Sequence, residues 1–250
     1  MSNVLNDPSV HDAVIEVAHE AFSGLEALYI ALYPLQSSQK KFHVTRINPE
    51  AGNHPIPEDE REIQAALKAS DRAWAEFGYY EQRFGERGKR FSDSDTCWLV
   101  TLTGHDQSIL QQQIDWLCRV LAARGMPTIM MEQTLRFLQE ELSAAIPEKS
   151  ATYEKLHISA DELKKARDSR IAASTFQSLA DEFDQSVQDT WTEKYRNTGR
   201  LLVSAVVDEA NGIEGTIDAL CGWLTDTERF PMEWIRAVKK TVGKAKNQIT

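Results

Sequence analysis

The chain has 250 residues, 42% of them hydrophobic and 26% charged, with a formal net charge of −10. That length holds one large domain or two small ones, and the acidic balance argues against nonspecific attraction to nucleic acid or anionic membrane. No apolar run reaches the roughly 20 residues needed to span a bilayer, and residues 1–8 lack the basic and apolar regions of a secretory signal. The expected setting is cytoplasmic, with neither membrane nor nucleic acid as partner.

Apolar residues from Val10 to Leu32 recur every three to five positions and predict an amphipathic helix ended by Pro34. Residues 35–57 carry Pro49, Gly52, Pro55 and Pro57 among polar residues. They read as a connecting loop, long enough to be either functional or mobile. Glu58 to Glu62 suit the first turn of a helix running through Ile63, Leu67 and Trp74 toward Tyr80. Gly85 and Gly88 should bend or end it, and the Ser92–Asp95 stretch should cap a short element closed by Gly104.

Residues 106–124 predict a helix ending at Arg124–Gly125, followed by one opened by Pro127 and running to about Ala145. Ser159 and Glu162 form a capping box for a long helix toward Arg196. Residues 200–224 and 231–246 complete the helical pattern. Two runs, 97–103 and 201–207, have strand-like composition and are read as helix because every neighbour is helical. The expected fold is all-α, a multi-helix bundle or globin-like packing of about eight helices. Its halves are residues 1–150 and 151–250, packed as one unit, and homo-oligomerisation is compatible with the pattern. A weak echo between Tyr80–Arg90 and Trp191–Arg200 fits either a divergent duplication or chance likeness between hairpins.

Chemistry is concentrated between Phe77 and Phe91, where aromatics and arginines alternate around two glycines. On one continuous helix, Tyr80, Arg83, Arg87 and Arg90 follow a 3–4–3 rhythm and share a face. Three guanidiniums so placed can receive phosphate or carboxylate, while Tyr79, Tyr80, Phe84, Phe91 and Trp98 offer flat apolar area. The competing reading is that Glu81 and Glu86 neutralise the arginines and the aromatics pack inward. If the cluster is a binding face, glutamine at all three arginines removes binding and leaves the melting temperature nearly unchanged.

The rival reading is a metal or tetrapyrrole site. Glu16–His19 and Glu154–His157 are two Glu-x-x-His pairs, the element used on two helices of carboxylate-bridged di-metal bundles. His19 and His105 are the histidines within helices that could serve a haem. Cys97, Cys118 and Cys221, each within two residues of a tryptophan, show no paired metal-ligand spacing and read as small core residues. Phosphate-loop, dinucleotide, zinc-protease and nucleophile-elbow motifs are absent. The sequence therefore favours a non-catalytic regulatory or adaptor protein that binds a protein partner or a small anionic or aromatic ligand, with no cofactor identified.

Overall fold

A computed structural model describes residues 44–249, and the helix expected between Val10 and Pro34, with Glu16 and His19 on it, lies outside them. The described residues are all-helical, with ten α-helices and no strand. In chain order these are α1 (Glu60–Glu76), α2 (Gly78–Leu102), α3 (Gln107–Ala122), α4 (Thr128–Ala145), α5 (Ser150–Asp168), α6 (Ala173–Gln185), α7 (Asp189–Lys194), α8 (Thr198–Ala210), α9 (Thr216–Leu224) and α10 (Met232–Lys246). No helix among the described residues is long and apolar enough to cross a membrane.

Several helix starts and stops follow local chemistry. Asp59 caps α1, its carboxylate accepting from the Arg61 backbone N–H at 2.9 Å. At the end of α3, Gly125 donates to the Ala122 carbonyl at 2.8 Å and Met126 to the Leu121 carbonyl at 3.0 Å, a Schellman closure. Gly125 has φ +81°, and a Cβ there would collide with the Arg83 guanidinium and the Ala219 carbonyl. Only glycine fits.

Several expected boundaries are corrected. Ser92 to Asp95 does not cap a helix, because α2 runs through it. Ser94 and Thr96 instead bond back to the carbonyls of Phe91 and Ser92, as hydroxyls inside helices do. Ser159 is also interior to α5, where its hydroxyl accepts from Gln107 at 2.9 Å. The long helix toward Arg196 is three helices, broken at 169–172 and 186–188, and the 200–224 segment breaks between Ala210 and Thr216. The two strand-like runs are helical, inside α2 and α8. Tertiary burial overrides their composition.

Packing gathers into two apolar clusters. The first joins α1, the later part of α2, α3, α4 and α5 around Leu99, Leu110, Ile114, Leu135, Leu138 and Leu156. The second joins α6, α8, α9 and α10 around Phe183, Leu202, Leu220 and Trp234, together with Phe77, Tyr79 and Tyr80 from the chain's earlier part. One buried polar joint ties them. Asp208 of α8 accepts from the backbone N–H and the hydroxyl of Thr128, at 2.8 and 2.5 Å, and so caps α4 from a distant helix. Burial pushes the Asp208 carboxyl up to about 6 despite those bonds.

Candidate functional site

The aromatic–arginine segment does not form a single face. Gly85 sits at φ 53° and ψ −156°, outside helical geometry and within a region essentially reserved for glycine. The 3–4–3 rhythm predicted for Tyr80, Arg83, Arg87 and Arg90 is broken there, and the side chains before and after it serve different surroundings.

Before the break, the tyrosines and Arg83 turn inward. Tyr79 and Tyr80 are fully buried, and Tyr80 packs within 6.3 Å of the rings of Trp74, Phe77, Tyr79 and Phe84. Among the described residues the Tyr80 hydroxyl has no hydrogen-bond partner, and burial raises its pKa well above the ordinary tyrosine value. Arg83 donates to the Tyr79 hydroxyl and, at 2.9 Å, to the Ala219 carbonyl of α9, with its guanidinium 5.0 Å from the Phe84 ring. Arg83 is thus a tie between α2 and α9. Replacing Arg83 is therefore expected to carry a thermal cost.

After the break, Arg87 and Arg90 point outward and converge on one carboxylate. Arg87 Nε donates to Glu50 Oε2 at 2.7 Å, and Arg90 Nη2 to Glu50 Oε1 at 3.0 Å. These two guanidiniums hold the Glu50 carboxyl below its usual pKa. Glu50 belongs to the segment between Val44 and Asp59, which is pinned at both ends. Val44 and Ile56 are buried in the first cluster, Val44 N–H donates to the His54 carbonyl at 3.2 Å, and Asn48 is fully buried. The His54 ring lies 5.5 Å from that of Trp98. Three of the five predicted binding residues, Arg87, Arg90 and Trp98, therefore meet this strap of the chain's own sequence, whereas Tyr80 and Arg83 do not.

Beneath the strap lies a cleft of about 900 Å³ where the two apolar clusters meet. Trp74, Phe84 and Phe91 supply aromatic walls, and Met126, Met130 and Met131 the adaptable floor. Arg87 and Arg124 add positive charge, Asp95 and Glu50 negative, and Ala51 and Gly52 of the strap complete the lining. Of this set the sequence singles out Phe84, Arg87 and Phe91. It misses the methionines and Trp74, which come together only through the crossing of α1, α2 and α4. No family model, curated protein or solved structure matches this chain.

The metal-site candidates among the described residues lie elsewhere. Glu154 is exposed on α5, and His157 Nε2 stands 3.4 Å from Asp161 Oδ2 on the same helix. Among the described residues no group of three or more histidine, cysteine or acidic side chains is placed to hold a metal ion. His105 lies in the turn between α2 and α3, where its carbonyl accepts from Lys155 at 2.6 Å. Cys97 and Cys118 are buried, burial raising both thiols above their ordinary pKa, and Cys221 is half-buried. A raised thiol pKa opposes nucleophilic use.

Proposed function

We propose that this chain is a non-catalytic binding protein, regulatory or adaptor in role, whose ligand is an amphiphilic small molecule with an acidic group. The apolar body lies in the cleft between α1, α2 and α4, and the acid meets Arg87 at its edge. The observation that carries this reading is the cleft itself. Its volume falls within the range of small-molecule pockets, and it joins aromatic and methionine walls to the charged side chains of Glu50, Arg87, Asp95 and Arg124. Methionine-rich lining suits a ligand of variable shape, because the unbranched thioether repacks at little cost.

A fluorescent aryl-naphthalene sulfonate, 1-anilinonaphthalene-8-sulfonate, combines an apolar body with one anionic group and serves as the probe. The expected result is one saturable site per chain, weakened by Arg87→Gln and abolished by Leu121→Trp, which fills the cleft from α3. Equal binding by wild type and Leu121→Trp, or no saturable binding, overturns the proposal.

A further inference from the structure

The strap that crosses the cleft carries an acid of its own, held by the arginines that a ligand's acid would use. Glu50 receives one bond from Arg87 and one from Arg90, two arginines a helical turn apart on α2. Only Arg87 of this pair lines the cleft, so the Glu50 carboxylate sits where the cleft opens toward Arg90.

At this point the strap is exposed between buried anchors. Asn48 and His54 are buried on either side, and Val44 and Ile56 anchor it further out. Between them, residues 49, 50, 52 and 53 are exposed. The local fastenings are the Glu50 N–H to Asn48 Oδ1 and the Ala51 N–H to the Asn48 carbonyl, both 3.1 Å. An exposed ion pair is weak and screened by salt, so an incoming anion displaces it at small cost.

We propose that Glu50 is an internal competitor for the cleft's anion position: an acidic ligand takes over Arg87 and Arg90, and the 49–53 span of the strap lifts away. This inference rests on the cleft being the binding site, and it deepens that reading by naming how the site is gated. It also assigns Arg90, which does not line the cleft, to the ligand's acid. The arrangement discriminates between ligands, because a neutral molecule of the same shape enters without contesting Glu50.

Two probes of nearly the same skeleton separate these effects. N-phenyl-1-naphthylamine is neutral, and 1-anilinonaphthalene-8-sulfonate adds the sulfonate. Replacing Glu50 by Gln or by Ala should tighten binding of the sulfonate by about three- to tenfold, the scale of one or two exposed ion pairs, and change the neutral probe less than about twofold. Saturation with the sulfonate should also accelerate amide exchange across residues 47–53, while the neutral probe leaves it unchanged. Unchanged or weaker sulfonate binding by both Glu50 variants overturns the gating role, as does sulfonate binding without faster exchange. If neither probe binds wild type or either variant, the cleft reading fails as well, which distinguishes the two outcomes.

Discussion

The two sides of Gly85 share one sequence motif and behave as opposites. Upstream, Tyr79, Tyr80 and Arg83 are absorbed into the second cluster, and Arg83 spends its donors on a tyrosine hydroxyl and a backbone carbonyl. Downstream, Arg87 and Arg90 remain in solvent contact, with 69% and 44% of their side chains exposed, and share one carboxylate. A guanidinium that satisfies buried acceptors is structural, whereas one that holds an exposed, displaceable carboxylate is available to a ligand. One glycine with a left-handed φ separates the two roles.

The largest expected effect is on the inner side. Arg83→Gln leaves the Tyr79 hydroxyl and the Ala219 carbonyl without their shared donor and should cost roughly 2–3 kcal/mol of stability, read by chemical denaturation. A loss below about 0.5 kcal/mol would dissolve the contrast with Arg87.

The buried joint beside that inner end should respond to pH. Asp208 has a folded pKa of about 6, raised from an ordinary 3.8 by burial. Its contribution is fully present below about pH 4 and is lost as pH rises through 6, because the folded state holds the proton longer than the unfolded one. Asp208→Asn should remove that portion of the slope between pH 4 and 6, on the order of 2–3 kcal/mol in difference from wild type, measured as the stability of both proteins across the window. Identical slopes would show that Asp208 does not titrate there.

Gly85→Ala tests the break itself. An alanine is strained at φ 53° and ψ −156°, so the expected cost is about 1–2 kcal/mol. If the variant is as stable as wild type, the two sides are not held apart by backbone geometry. The smallest effect is on the outer side, where Arg87→Gln and Arg90→Gln together should shift the melting temperature by no more than about 2 °C while weakening sulfonate binding. A large thermal shift would make the outer arginines structural too.

Much of the fold was legible because its signals are local. Pro127 before α4 and Arg124–Gly125 after α3 act through backbone geometry that any neighbour leaves intact. Ser92–Asp95 and Ser159 misled because the same residues that cap an exposed helix end also bond back to helix carbonyls, and burial decides between the two uses. The site was legible only in part. The Phe77–Phe91 segment stands out in the sequence as aromatics and arginines in one place, yet a 3–4–3 rhythm assumes continuous helix and Gly85 denies it. Glu50 carried a faint signal, an acid placed between Pro49 and Gly52 in a loop otherwise marked by prolines. Its partners lie 37 and 40 residues away, a distance that spacing within one element does not span. Nothing in the sequence sets Met126, Met130 and Met131 apart, and only the meeting of two apolar clusters leaves them facing a cleft.

The most direct test of the cleft uses its own methionines. With methyl-13C methionine incorporated, Met126, Met130 and Met131 report from the cleft, and Met232, 54% exposed on α10 and outside the cleft lining, serves as the control. Titration with decanoate, a simple acidic amphiphile, should shift and saturate the three cleft methyl signals together at one equivalent while Met232 stays in place. Cleft signals that do not move, or that move no more than Met232, would contradict the account.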